Sequence, residues 1–219
     1  MTGERRKFRR ESEERRRDAL IAAALDLISE GGPGAATVRA IADRAGVTPG
    51  LIRHYFVIKQ DLTRAAYRTV MDRMTEASLR VLDDAPEIPE ARLAAFVAAS
   101  VRPPVMDAAA LALWAGFILM VRRDPAMREV HELTYLAYRD LLQGLIADLP
   151  GAGDAALLRR QAIACNGVID GLWLEGCALP DSFGPDELAQ IALAAVGAIL
   201  GHELATFLPP PSADQKDMT

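Results

Sequence analysis

The sequence predicts an all-α fold, with a small three-helix head at the N-terminus and a larger helical bundle behind it. Three observations carry that prediction. Apolar residues recur at intervals of three and four, and no alternating strand pattern or internal repeat interrupts them. Clusters of Pro and Gly cut this pattern into pieces of helical length. Of 219 residues, 51% are hydrophobic, enough to bury a substantial core in one or two domains.

The first helix is read over residues 16–30, with Leu20, Ala24, Leu27 and Ile28 as its inner stripe and Gly31-Gly32-Pro33-Gly34 as its end. Residues 1–13, including Arg5-Arg6-Lys7-Phe8-Arg9-Arg10, read as a basic flexible arm. No apolar stretch follows them, so they do not form a signal peptide. Such a run is either a solvated tail or an arm adding phosphate or minor-groove contacts. Thr37 is a good N-cap for a helix whose apolar residues Val38, Ile41, Ala42 and Ala45 share one face. Gly46 sits where a left-handed residue would close it. Thr48 offers a second N-cap, and Pro49 suits the first helical position because its missing N–H is not needed there. Gly50 has no side chain, so another backbone can come close. Ile52 and Phe56, four apart, bury together and leave Leu51, Arg53 and His54 facing outward.

A long helix then starts near Ile58 and runs to about Leu82, so the last helix of the head continues as a connector. The segment 83–89 is a break. Further helices are expected at 90–101, 105–122, 125–148, 154–178 and 185–207, separated by Pro103-Pro104, Asp124-Pro125, Pro150-Gly151 and residues 180–185. The head thus spans 14–62 and the body 83–207. The Pro-rich polar tail, 208–219, is expected to be disordered.

Residues 37–62 spell a helix-turn-helix followed directly by a third helix. An exposed helix start with N–H groups and a hydroxyl suits a phosphate. An ordinary helical hairpin would show the same spacing. Charge separates along the chain: residues 1–82 hold 16 Lys+Arg and 11 Asp+Glu, a net of +5, whereas 83–219 hold 9 and 19, a net of −10. A basic head on an acidic body suits a protein that touches DNA with one end.

The run Thr37-Val38-Arg39-Ala40-Ile41-Ala42, then Ala45-Gly46-Val47-Thr48, then Gly50-Leu51-Ile52-Arg53-His54-Tyr55-Phe56, with Lys59 and Leu62, resembles the DNA-binding domain of the TetR family of transcriptional regulators. Many members carry Tyr where this chain has Arg53, which bears on the type of DNA contact made there. The resemblance implies a repressor bound to a double-stranded operator. Thr37, Thr48 and Lys59 would hold phosphates, with His54 a further candidate. Pro49 and Gly50 would shape the close approach, and Leu51 and Arg53 would meet base edges. Tyr55 and Phe56 read as packing residues.

The resemblance also implies a homodimer in which the last two long helices pair. Candidate interface residues are Cys165, Ile169 and Leu172 on one helix and Leu193, Val196 and Leu200 on the other; packing within one subunit is the alternative. Trp114, Phe117, Met120, Tyr135, Tyr138, Asp170 and Trp173 are candidates for an effector pocket or for ordinary core. Leu113-Trp114-Ala115-Gly116-Phe117 and Ile169-Asp170-Gly171-Leu172-Trp173-Leu174 resemble the BetI-like branch, whose members include a repressor of choline-to-betaine genes. A choline-like cation is therefore a candidate effector, held by aromatic faces and a carboxylate.

Other classes fit less well. His54, His131 and His202 are scattered, and no spacing suggests a metal site, a phosphate loop or a nucleophile elbow, so neither an enzyme nor a cofactor is expected. A helical small-molecule binder or interaction protein without operator specificity is the remaining alternative. Cys165 and Cys177, 12 residues apart on one helix, cannot pair without breaking it. With no run apolar enough to span a membrane, a cytoplasmic location is expected.

Overall fold

The computed structural model describes residues 2–210, with side chains from residue 13 onward. Among these residues the chain forms nine α-helices and no strand: α1 (Thr2–Gly31), α2 (Val38–Arg44), α3 (Pro49–Tyr55), α4 (Lys59–Arg80), α5 (Pro89–Ser100), α6 (Ala108–Val121), α7 (Pro125–Ala147), α8 (Ala155–Ala178) and α9 (Glu187–Leu200). Short 3₁₀ turns follow at Pro180–Ser182 and Leu204–Phe207. None of the described helices is long and apolar enough to cross a membrane. The last nine residues of the expected tail, 211–219, lie outside the described residues.

Three boundaries differ from the sequence reading. Residues 2–12, read as a flexible arm, have helical backbone continuous with α1. No proline interrupts this stretch, and its Arg, Lys and Glu residues are good helix formers. Helix α6 starts at Ala108 rather than 105, because the Asp107 carboxylate accepts the Ala110 amide at 3.3 Å and so caps it. Helix α9 stops at Leu200, not 207. Gly201 is left-handed (φ 76°), and the amides of Gly201 and His202 both donate to the Gly197 carbonyl, at 2.8 and 3.0 Å. A side chain at Gly197 would strike the His202 carbonyl, so a glycine is needed where the chain folds back.

The chain divides into two compact units, residues 1–70 with 112–131 and residues 71–111 with 132–219. Segment 112–131, which the sequence reading places in the body, thus groups with the head. In the head unit, Leu20 and Ile28 of α1, Ile41 of α2, Ile52 of α3, Leu62 and Tyr67 of α4, Phe117 of α6 and Met127 of α7 are buried. Tyr67 packs on Phe117 with ring centres 4.9 Å apart, and its hydroxyl lies 2.6 Å from His131 Nδ1. Burial pushes the Tyr67 phenol up to about 12.

In the body unit, α5 is the central element. Leu93, Phe96 and Val97 meet Leu142 and Ile146 of α7, Ala162, Cys165 and Ile169 of α8, and Ala192, Leu193 and Val196 of α9 in one apolar cluster. Alanines on α5, α8 and α9 let these helices pack closely. A polar chain crosses this core: Tyr138 donates to Ser100 Oγ at 2.8 Å, and Ser100 in turn reaches the Phe96 carbonyl at 2.8 Å and Ser78 Oγ at 3.2 Å. Burial raises the Tyr138 pKa, so the phenol stays a donor.

Candidate nucleic-acid interface

The head builds its outer surface from local rules. Thr37 caps α2 as its spacing predicts, its hydroxyl accepting the Ala40 amide at 3.1 Å. Gly46 is left-handed (φ 65°) and turns the chain from α2 into α3. Thr48 stands at the N-cap position with extended backbone, and Pro49 follows in the first turn. Unlike Thr37, Thr48 makes no side-chain cap bond, so its hydroxyl is not consumed by the helix it starts. A Cβ at Gly50 would meet only Thr48 Oγ1, at 3.9 Å, so the first turn of α3 has an open surface.

The amphipathic split of α3 follows the sequence. Ile52 is buried, as is Phe56 at the C-cap of α3, while Pro49, Gly50, Arg53 and His54 are exposed and Leu51 is half-buried. Lys59, half-buried, is the first residue of α4. The structure therefore brings Thr48, Pro49, Gly50, Leu51, Arg53 and His54 onto one seven-residue helix and its cap, with Thr37 and Lys59 at the starts of the helices on either side.

Ion pairs hold this surface in place. Arg44, ending α2, donates to both carboxylate oxygens of Glu30 at 2.9 and 2.7 Å. Those hydrogen bonds hold the Glu30 carboxyl below its usual range and commit Arg44 inside the head. Asp61 accepts the Ile58 amide at 3.1 Å, which starts α4. Arg64 bridges Asp61 and both oxygens of Asp124, the residue preceding α7. Desolvation pushes Asp124 upward, but hydrogen bonds from Arg64 and the Ala126 amide outweigh it and hold the carboxyl below its usual range. A depressed folded pKa gives stability that is complete above the unfolded value, about 3.9, and lost as pH falls through the folded value. The thermal midpoint of the parent should therefore exceed that of Asp124→Asn near neutrality, with the gap closing in acid. A gap constant from pH 7 to pH 3 would remove Asp124 ionisation from the account.

Sequence reasoning missed two features of the head. The Arg17 guanidinium lies 5.2 Å from the centre of the Phe56 ring, a cation–π contact joining α1 to the end of α3. Val57 and Ile58, in the turn after α3, are exposed, Val57 by 86%. Two adjacent apolar residues beside Phe56 were the only sequence signal for the latter.

The expected body sites come out differently. Cys165, Ile169, Leu193 and Val196, read as interface candidates, are buried inside this chain, and Leu172 and Leu200 pack half-buried against the same cluster. They follow the alternative of packing within one subunit, because α5 covers that face. The outward faces of α8 and α9 carry Ile163, Gly167, Gly171 and Leu174, and Ile191, Ala194 and Ala198.

The pocket candidates fall in both units: Trp114, Phe117 and Met120 belong to the first, and Tyr135, Tyr138, Asp170 and Trp173 to the second. Phe117 is a core residue against Tyr67. Trp173 is buried, and its Nε1 donates to the Val105 carbonyl at 2.8 Å. Tyr135 donates to Asp170 at 2.5 Å, and Asn166 donates to Tyr135 Oη at 2.6 Å and to Asp170 at 2.9 Å. Burial first, then the Asp170 carboxylate, raises the Tyr135 pKa. Asn166 escaped the sequence reading, although its spacing of four from Asp170 put both on one line of a helix. Its Oδ1 is buried without a protein hydrogen-bond partner.

Comparison with known proteins bears on this arrangement. Residues 20–66 match the family model for bacterial regulatory proteins of the tetR family, and residues 89–201 match that for the C-terminal part of BetI-type transcriptional repressors. The HTH-type transcriptional regulator BetI of Burkholderia thailandensis is 33% identical over 179 residues, covering 82% of this chain and 89% of the relative. A crystal structure of a transcriptional regulator from Pseudomonas aeruginosa PAO1 superposes with a TM-score of 0.79 at 33% identity, covering 89% of this chain and 95% of the other. The regulator FadR of Bacillus subtilis, solved with stearoyl-CoA, shares the fold at a TM-score of 0.62 and 19% identity, covering 83% of this chain and 96% of that one. These relatives are regulators rather than enzymes. With its helix-turn-helix head and BetI-type body, the chain belongs to the TetR family of bacterial transcriptional regulators.

Proposed function

We propose that this regulator is a homodimeric repressor that holds a two-fold symmetric operator and leaves it when a small molecule binds the body. The observation that carries this reading is the open start of α3, where Thr48, Gly50 and Arg53 are exposed above a buried Ile52. Leu51 and Arg53 read base edges, while Thr37, Thr48, His54 and Lys59 hold phosphates. Two copies would pair through the outward apolar and small residues of α8 and α9, and a two-fold dimer would read half-sites on successive major grooves about 34–36 Å apart or a multiple of it.

Selection of bound sequences from a random duplex pool tests this at a stated salt concentration. A two-fold symmetric consensus is expected; no enrichment from folded protein would sink operator specificity and favour a small-molecule binder. Lys59→Ala should weaken all duplexes alike and lower the salt slope by about one per subunit, whereas a sequence-selective loss would remove its phosphate role.

The effector reading is a cationic small molecule, with a choline-like ammonium first to be tested. In support, the Tyr135–Asn166–Asp170 cluster offers a carboxylate and a buried acceptor oxygen that a ligand hydroxyl or N–H could satisfy. Binding of operator and effector must oppose each other by equal factors. Choline that leaves operator affinity unchanged at millimolar concentration would eliminate it as effector.

A further inference from the structure

We infer that the effector of this regulator is a protonated amine that brings N–H donors to the Tyr135–Asn166–Asp170 cluster, in preference to a quaternary ammonium. This rests on the reading of the body as the effector-binding part and deepens it. All three residues belong to the body unit, Tyr135 on α7 and the other two on α8. The directions of their hydrogen bonds follow from where the protons are. Burial and the Asp170 carboxylate hold the Tyr135 phenol protonated, and its one proton goes to Asp170 Oδ2 at 2.5 Å. Toward Asn166 the Tyr135 oxygen can then only accept. Asn166 Nδ2 lies 2.6 Å from that oxygen and 2.9 Å from the same Asp170 oxygen, and donates to both. Turning the Asn166 amide over would set its oxygen against two acceptors, so Nδ2 must face them and Oδ1 must point away.

Both amide protons of Asn166 are thereby committed, and Oδ1 is left buried with no hydrogen-bond partner in the protein. The residue as a whole is only 2% exposed. An acceptor at that depth is costly to leave unmatched. Beside it stands a carboxylate that reaches the surface, since Asp170 is exposed. The amide and the phenol have no proton left to give. What the cluster offers is a negative charge and a buried lone pair, so a matching ligand brings a positive charge and at least one donor. A primary or secondary ammonium carries both on the same atom. A quaternary ammonium carries the charge alone and leaves Oδ1 unmatched. Sites built around hydrogen bonds to a ligand discriminate strongly against analogues that lack the donor.

The test uses the full-length protein with n-propylammonium and its N-methyl, N,N-dimethyl and N,N,N-trimethyl derivatives. All carry one positive charge at pH 7, and one N–H is lost at each step. The Kd of each is read from the rise of the thermal midpoint with its concentration at constant ionic strength. Binding should weaken along the series, by about ten- to a hundredfold from first to last, the cost of one buried acceptor left unmatched. Asn166→Leu keeps the volume and removes the oxygen. It should abolish most of that difference by weakening n-propylammonium and sparing the trimethyl form. Asp170→Asn, at an exposed position, should weaken all four amines, and it keeps the assignment testable if Asn166→Leu does not fold. Equal affinities along the series, or tightest binding of the trimethyl form, overturn the inference. So does an order that survives in Asn166→Leu, which would reflect size alone, and so do affinities unchanged in Asp170→Asn, which would place the amines elsewhere. If choline binds and releases the operator while the propyl series shows no such order, the effector reading stands and only this inference falls. If neither choline nor any of the amines shifts the midpoint up to high millimolar concentration, the cluster is not the effector site and both fall.

Discussion

Gly50→Glu lowers affinity for the operator by about 2–4 kcal/mol, roughly thirty- to several-hundred-fold, without lowering the thermal midpoint. The two halves of this expectation have separate causes. A Cβ at Gly50 meets only Thr48 Oγ1, at 3.9 Å, and the position is exposed, so the folded head accommodates the side chain. An acidic residue in the first turn of α3 lies near the positive end of its dipole, and glutamate is a better helix former than glycine, so stability holds or rises slightly. On DNA the same carboxylate would stand beside Thr48 and Arg53, close to a phosphate backbone, and like charges brought together across an interface cost several kcal/mol. Binding curves and thermal melts of the two proteins, run side by side, check it. Unchanged affinity would mean that the start of α3 does not lie against DNA, and a midpoint that fell with the affinity would reassign the effect to folding.

Phe96→Ala destabilises the body by about 3–5 kcal/mol, measured as a lower urea midpoint at similar slope. Phe96 is fully buried on α5 amid Leu142, Cys165 and Leu193, and its ring centre lies 5.2 Å from that of Tyr138. Truncation removes the transfer free energy of the ring and leaves a cavity that helices packed on several sides cannot close. It also strips one wall from the Tyr138–Ser100 hydrogen bond, whose partners are costly to leave unmatched. Against a total stability of about 5–15 kcal/mol this is a large share. A loss under about 1 kcal/mol would mean that α5 does not hold the body core.

How much could be read from the sequence differs between head and body. In the head, caps and turns are local: Thr37, Gly46, Thr48 and Pro49 act on backbone within three or four residues, and each stands where its spacing predicts. The same is true of Ile52 and Phe56, whose burial follows from helical period alone. The overrun of α9 was a local error, since Gly201 followed the last periodic residue and could have been read as its end. In the body, most positions of α8 and α9 are apolar or small, so period does not say which face a neighbouring helix covers. Cys165, Ile169, Leu193 and Val196 went to the core and Ile163, Gly167, Ile191 and Ala194 outward because α5 packs on one side.

The sequence by itself determined the all-α class, the order of helices, the helix-turn-helix with its exposed residues, and the family. These depend on periodicity, caps and motif spacing, which reach only a turn or two along the chain. Only the tertiary structure decided that segment 112–131 belongs with the head, that Arg64 meets Asp124, and that Asn166 joins Tyr135 and Asp170. The first two link helices some 60 residues apart, and Asn166 meets Tyr135 across 31. Which helix faces meet across such separations is set by the packing of whole helices, a property that no short window of residues contains.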